Sequence, residues 1–340
     1  MLYQVQSQFP AQKLSSFRIP AMLDYYTELF AVEEIPLLLR DAHRKHHEIL
    51  PVGEGTNIIW GNSRIKKFGV RLRFSKIRVH KNHHYARINA EAGLVWDDLV
   101  AYTVNEGWWG LESLSGIPGT VGATPIQNVG AYGTEIKDVC AYVDAVHLYT
   151  GKKRRFLPHE CTFGYRTSRF NSQDKGKYII TNVAFNLTRT SQRPLYPSIE
   201  KELSILGVKV NPLHVRLAVI KIRNEKLPHY KVIPNCGSFF KNPHIPISQA
   251  VALRKKYPEM PFFESYNGLV KIPAGWLIDT LGWKGKKIGS LQVYEKNALV
   301  LTNPAQVASP EEVQYAEEIL KKSVLSHFGI LLEREPELIQ

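Results

Sequence analysis

The sequence predicts an α+β protein on three observations: a strand that hands over to a helix near residue 93, a long glycine-punctuated stretch after it, and a last helix signalled at both ends. Residues 85–92 alternate, with Ala86, Ile88 and Ala90 on one side, and past Gly93 a helical pattern runs through Val95, Leu99, Tyr102 and Thr103 to Gly107. Between Gly110 and Gly133 stand Gly116, Gly119, Gly122 and Gly130 with Pro118 and Pro125, so no regular helix or strand fills that stretch.

Short strands are expected at 141–149 and 178–187. The polar, proline-containing stretch 188–212 reads as a boundary before a second lobe. Asn211-Pro212 opens a helix reaching about Asn224, and further helices are expected at 248–257 and 273–281. The last helix carries Ser309 as cap, Pro310 in the first turn and Glu312 as the reciprocal capping residue. Val313, Ala316, Leu320 and Val324 form its apolar stripe, and Gly329 is placed to end it.

A chain of 340 residues, 44% hydrophobic, can bury one large core or two to three smaller ones. Lys plus Arg exceeds Asp plus Glu by 44 − 31 = 13, which points to anionic partners: nucleic acid, a nucleotide sugar or a dinucleotide. Cys140, Cys161 and Cys236 lie far apart without a C-x-x-C pair, so neither a zinc knuckle nor a disulfide framework is readable, and a reducing cytosol is the expected compartment. The first ten residues are polar and no apolar run approaches the roughly 18 residues of a membrane helix, so a soluble, cytoplasmic chain without a membrane partner is expected.

Two segments carry chemistry. Gly53-Glu54-Gly55-Thr56-Asn57 follows the apolar run 49–52 as a turn at a strand end, where glycines let backbone N–H groups approach phosphate oxygens. An ordinary tight turn accounts for the same residues equally well, and the G-x-G-x-x-G fingerprint is absent. The run 114–133 says more, because an uncharged loop of that length suits wrapping an extended pyrophosphate with a flat ring.

Gly53 to Asn57, the run 117–133, Phe163-Gly164-Tyr165-Arg166, Gly237-Ser238-Phe239-Phe240-Lys241-Asn242-Pro243 and Ala274-Gly275-Trp276-Leu277-Ile278-Asp279 together resemble the UDP-N-acetylenolpyruvoylglucosamine reductase family, in that family's order and with comparable spacing. The resemblance covers roughly 49–337. It implies an FAD-binding α+β fold of the vanillyl-alcohol-oxidase type with an additional C-terminal α+β substrate domain. The implied lobes are 1–74 with the tail 329–340, 75–212, and 213–328. Pro194-Leu195-Tyr196 resembles the loop of the longer type, whose tyrosine covers the substrate.

The resemblance implies NADPH-dependent, FAD-mediated reduction of UDP-N-acetylglucosamine enolpyruvate to UDP-N-acetylmuramate in peptidoglycan precursor synthesis, by a monomer. It assigns FAD to Gly53, Glu54, Gly55, Thr56, Asn57, Ile117, Pro118, Gly119, Gly122, Ala123, Thr124, Gln127 and Gly130. Tyr165, Tyr196, Arg223, Lys226 and Asn242 would hold the nucleotide sugar, and Arg166, Ser238 and Glu335 would be catalytic. Those residue types suit the chemistry. Hydride delivery to an enol ether builds negative charge on the substrate carboxylate and the adjoining carbon, which Arg166 can grip with two parallel hydrogen bonds. Ser238 can then protonate the carbon if its neighbours stabilise the alkoxide.

The tail Leu332-Glu333-Arg334-Glu335-Pro336-Glu337 holds three glutamates. Ungapped counting from Phe328 selects Glu335, and a one-step slip transfers the role to Glu333 or Glu337. The sequence departs from the family at Leu14-Ser15-Ser16-Phe17-Arg18-Ile19, at Tyr294 and at 228–234, which leaves flavin contacts from the amino-terminal segment open.

Two other readings stand beside the reductase. Another FAD-dependent sugar or hydroxy-acid oxidoreductase would share the fold. A nucleic-acid-binding protein would suit Arg64, Lys66, Lys67, Arg71, Arg73, Lys76, Arg78, Lys81 and Arg87, with Phe68 and Phe74 interleaved and no acid between Gly55 and Ala90. The plainer account is a strand with one wet face whose cations sit on an exposed edge. Histidines 43, 46, 47, 80, 83 and 84 lack the carboxylates or cysteines of a metal site, so no metal is expected.

Overall fold

A computed structural model describes residues 3–340, and the chain divides into two compact units. The first takes in the chain up to Phe9, Leu23–Glu54 and Lys66–Asn224; the second takes in Pro10–Met22, Gly55–Ile65 and Glu225–Gln340.

The first third of the chain forms β1 (Val5–Pro10), β2 (Met22–Leu29), α1 (Ile35–Arg44), β3 (Glu48–Pro51), β4 (Ile58–Trp60) and β5 (Arg64–Leu72). Four of these strands make one sheet in the order β1-β2-β5-β3, with β3 and β5 parallel from Glu48 opposite Lys67 to Pro51 opposite Val70. The expected edge strand of the basic run is therefore an interior one: β5 has a neighbour on both sides. The true edge is β6 (Ile77–Lys81) of a second sheet, where Arg78, His80 and Lys81 are exposed.

That second sheet adds β7 (Tyr85–Glu91), β8 (Cys140–His147), β9 (Lys153–Phe156) and β10 (Tyr178–Thr188), antiparallel throughout in the order β9-β8-β10-β7-β6. Between β7 and β8 lie α2 (Trp96–Asn105) and the glycine-rich stretch, which holds only single turns and two-residue bridges. One core joins both sheets, with Phe68, Ile88, Trp96, Phe156, Val183 and Phe185 fully buried.

The stretch 188–212 is not a bare boundary. It contains α3 (Pro197–Leu206), started by Pro197 and closed by Gly207 in the left-handed region at φ +63°. α4 (Pro212–Lys226) follows, and a small core of Ile199, Leu203, Val215, Ala218, Val219 and Ile222 forms with Trp109. Both helices thus pack with the first unit, and α4 stays with it through Asn224. The helical signal was short: Ile199 and Leu203 are the buried apolar pair of α3.

In the second unit β11 (Asn235–Ser238), β12 (Lys287–Ile288), β13 (Leu291–Val293) and β14 (Val300–Thr302) form a sheet in the order β11-β14-β13-β12. The helices are α5 (Ile247–Lys256), α6 (Ala274–Thr280) and α7 (Pro310–Phe328). At the start of α7 the Ser309 hydroxyl accepts from the Glu312 N–H at 3.2 Å, and the Glu312 carboxylate accepts from the Ser309 N–H at 2.9 Å, the reciprocal cap the sequence predicts. The tail strand β15 (Glu337–Ile339) runs parallel to β4, with Leu338 opposite Ile59. Trp60, fully buried on β4, donates its indole N–H to the Ala11 carbonyl at 2.9 Å.

Candidate active site

The glycine loop is zipped onto the turn between β7 and α2. The Trp96 N–H donates to the Gly119 carbonyl at 2.9 Å, the Val121 N–H to Leu94 at 2.9 Å, and the Gly122 N–H to Ala92 at 2.9 Å. A Cβ on Gly122 would stand 2.6 Å from the Ala92 Cβ, so only glycine permits this approach. Thr124 is buried and gives its hydroxyl proton to the Val121 carbonyl at 2.8 Å. Gly122 and Thr124 therefore spend their donors on the loop's own shape.

The Gly53 turn abuts the glycine loop: a Cβ on Gly53 would meet the Thr120 Oγ1 at 2.8 Å and the Ala123 Cβ at 3.5 Å. Among the described residues the backbone N–H groups of Gly53 and Glu54 donate to no protein acceptor, which leaves two donors for a phosphate at a turn with no cation in it. Those residues fit a pyrophosphate-bearing cofactor. Gly55, at φ +66°, lies so close to the Leu14 carbonyl that any Cβ would collide with it, and its own carbonyl accepts from the Ser16 N–H at 3.0 Å. The departing amino-terminal segment is thus in direct contact with Gly55 of this turn. Asn57 gives its carbonyl to the Glu337 N–H at 2.9 Å.

At its far end the loop is tied to the segment bearing Tyr165 and Arg166. Asn128, fully buried at φ +47°, donates its amide to the Gly164 carbonyl and to Glu135, both at 2.9 Å, while the Ser168 hydroxyl donates to Ile126, next to Gln127, at 2.6 Å. Arg166 sits in the left-handed region at φ +52° and donates from Nη2 to the Gly130 carbonyl at 2.9 Å. A strained, non-glycine backbone holding a cation against the loop is a feature of functional sites more than of surface arginines. Its guanidinium lies 5.2 Å from the Tyr165 ring centroid.

Beside this loop end is a cavity of about 560 Å³ lined among others by Trp109, Glu112, Tyr132, Asp138, Arg193 and Tyr196. Tyr196 precedes α3 and meets Tyr132 edge-on with centroids 5.7 Å apart. Its loop is latched by Arg193, which donates to the Gly133 carbonyl at 3.1 Å and pairs with Asp138 at 2.5 Å. Burial raises the Tyr132 phenol above its ordinary value, with Arg223 opposing. Arg223 on α4 donates from Nε to the Gly116 carbonyl at 3.2 Å; burial lowers its pKa, and Tyr132 and Asp97 counter that.

In the second unit Ser238 ends β11, opposite Val300 of β14. Beyond it the chain pairs antiparallel with the tail: Phe240 lies opposite Arg334, the Glu335 N–H donates to the Phe239 carbonyl at 3.0 Å, and the Lys241 N–H donates to Glu333 at 2.9 Å. Glu335 is half-buried and its charge helps burial push up the Cys236 thiol. Glu333 is exposed and pairs with Lys241 at 2.5 Å, while Glu337 joins the β4 ladder. Asn242 accepts the Ala274 N–H at 2.9 Å, capping α6, and Lys226 is exposed at the end of α4.

Three of the nine cations in the basic run are met by carboxylates from elsewhere. Lys67 pairs with Glu48, Arg73 with Glu28 at 2.6 Å and Lys81 with Glu106 at 3.0 Å. The three cysteines are buried and free, and burial pushes Cys140 and Cys161 up to about 12.

Residues 25–156 match the model of an FAD binding domain. With the antiparallel sheet and the two adjoining glycine segments, this makes the chain an FAD-dependent oxidoreductase of the expected α+β fold. Residues 228–339 match the C-terminal domain of UDP-N-acetylenolpyruvoylglucosamine reductase. A reductase of that name from Bdellovibrio bacteriovorus is 39% identical over 98% of this chain and 99% of its own length, and one from Flavobacterium johnsoniae is 36% identical over 99% and 100%. The chain belongs to the UDP-N-acetylenolpyruvoylglucosamine reductase family. The crystal structure of the Thermus caldophilus member, 21% identical, superposes with a TM-score of 0.68 over the whole of both chains and shares the fold.

Proposed function

We propose that the chain reduces the enolpyruvyl group of UDP-N-acetylglucosamine enolpyruvate with NADPH, giving UDP-N-acetylmuramate for peptidoglycan precursors, as a monomer in the cytoplasm without nucleic-acid partners. The observation that carries the reading is Arg166, a permanent cation held in a strained backbone against Gly130 of the flavin loop. Bound FAD would take hydride from NADPH and supply it to the terminal carbon of the enol ether.

This chain's residues do the rest. Gly53 to Asn57 and the loop segments Ile117 to Gly119, Gly122 to Thr124, Gln127 and Gly130 hold the cofactor. Arg166 grips the substrate carboxylate as charge builds on it. Ser238 gives its hydroxyl proton to the carbon next to that carboxylate, and Glu335, on the strand paired with the Ser238 segment, supports the transfer. Tyr165, Tyr196, Arg223, Lys226 and Asn242 hold the nucleotide sugar.

The three-lobe division belongs to the same proposal: 1–74 with 329–340 and 75–212 for the cofactor, 213–328 for the substrate. Across the 212/213 boundary, α4 shares a small core with α3 and Trp109.

The test is anaerobic titration of the purified protein, followed by absorbance. A bound flavin should bleach with NADPH and recover with the enolpyruvyl substrate, without oxygen-coupled turnover of sugars or hydroxy acids. A protein that takes up no FAD, or whose flavin recovers only with oxygen, overturns the reading.

A further inference from the structure

Gly116, at the entrance to the flavin loop, is gripped from both sides. Its N–H donates to Asp97 Oδ1 at 2.6 Å and its carbonyl accepts from Arg223 Nε at 3.2 Å. Asp97, in the first turn of α2, is itself forked by Arg216, with Nη1 to Oδ1 at 2.6 Å and Nη2 to Oδ2 at 2.8 Å. Arg216 and Arg223 stand seven residues apart on α4, about two turns, so one helix holds Gly116 directly through one arginine and by way of Asp97 through the other.

The geometry is stronger than an ordinary surface pair. The fork is bidentate, the Arg216 side chain is only 14% exposed, and the same carboxylate binds a backbone N–H. Burial alone would raise the Asp97 carboxyl, yet Arg216, the Gly116 N–H and Arg223 together hold it below the usual range. Gly116 is at φ +67°, and the residues that follow it at once are Ile117, Pro118 and Gly119 of the flavin segment. Among the described residues no carboxylate lies within ion-pair distance of Arg223, so the Gly116 carbonyl is what orients its guanidinium.

We propose that Asp97 and Arg216 are positioning residues that, through Gly116, couple the flavin loop to the nucleotide-gripping Arg223, so that bound FAD tightens binding of the uridine nucleotide. This rests on the reading that the loop holds FAD and Arg223 the nucleotide sugar. A cofactor that fixes the loop fixes the carbonyl that aims Arg223, and by linkage the nucleotide favours cofactor binding by the same factor.

The experiment is calorimetric titration of UDP into apo and FAD-loaded protein. In the wild type FAD should tighten UDP by at least about fivefold. Asp97→Ala removes both the acceptor and the fork, and the ratio should fall towards one. Asp97→Asn keeps an acceptor for the Gly116 N–H but cannot form the ion pair, so its ratio should lie between those of alanine and wild type; a pair that merely ties two helices together predicts no such partial rescue. If Asp97→Ala does not fold, Arg216→Gln serves in its place, with a ratio below wild type expected. An unchanged ratio in the alanine or glutamine variant, or an asparagine variant no better than alanine, overturns the inference. Wild type that binds both ligands without coupling sinks the inference alone, whereas wild type that binds neither sinks the functional reading with it.

Discussion

The backbone N–H of Glu335 donates to the carbonyl of Phe239 at 3.0 Å, which places this glutamate across the ladder from the residue next to Ser238. The same register sends Glu333 outward to Lys241 and Glu337 to the β4 ladder. Glu335→Gln should therefore slow flavin reoxidation by the enolpyruvyl substrate by about 100-fold or more, as loss of a positioned proton-transfer group does. Glu333→Gln, which breaks only an exposed pair, should change the same rate by less than about threefold. Stopped-flow absorbance of the two variants decides it, and the reverse ranking would move the role to Glu333.

The proposed role of Ser238 confines it to one half of the catalytic cycle. Ser238→Ala should leave FAD bound and NADPH oxidation nearly intact, while reoxidation by substrate slows by about 100- to 10,000-fold. Ser238→Cys should recover part of the loss, since a thiol can give a proton from nearly the same place. Each half-reaction is measured separately by rapid mixing. Reoxidation at the wild-type rate in the alanine variant would make Ser238 a turn residue beside Gly237, which is at φ +74°.

Tyr196 and Lys226 lie outside the Gly53–Asn57 turn and the glycine loop, one lining the Tyr132 cavity and one exposed at the end of α4. Tyr196→Phe removes one hydroxyl and should weaken nucleotide-sugar binding about threefold to tenfold, and Lys226→Ala, which removes a charged donor, about 10- to 100-fold. Flavin content should stay unchanged in both. Equal loss of flavin from the two purified variants would mark them as structural residues.

The glycine loop was legible because its signals are local: the glycines, the prolines and the lack of charge all lie within one stretch of sequence. Its supports were not. Asp97 reaches Gly116 across 19 residues and Asn128 reaches Gly164 across 36, and such partners are set by how the chain crosses itself. The partners of Arg73, Lys67 and Lys81 were equally hidden, since Glu28, Glu48 and Glu106 come from distant segments to meet them. The tail shows the same limit, because three glutamates at alternate positions look equivalent until pairing gives each a different neighbour.

Glu112 is a buried carboxylate on the cavity wall, and it makes the protein's stability depend on pH in a stated direction. Burial raises its pKa, while the Gly110 N–H, at 2.6 Å from Oε2, and the charge of Arg193 pull it back. A carboxyl whose folded pKa lies above its unfolded value, about 4.3, contributes stability fully present below that value and lost as the pH rises through the folded one. At neutral pH the ionised side chain is therefore worse placed than a neutral isostere. Glu112→Gln keeps an acceptor for the Gly110 N–H and removes the charge, so it should raise the melting temperature at pH 7 by about 1–3 °C. The gap should narrow as the pH falls, because the wild-type side chain takes up its proton at a pH above the ordinary carboxyl value. Thermal melts of both proteins across that range test this, and a wild type that melts higher at pH 7 would mean that Arg193 and the Gly110 N–H outweigh burial.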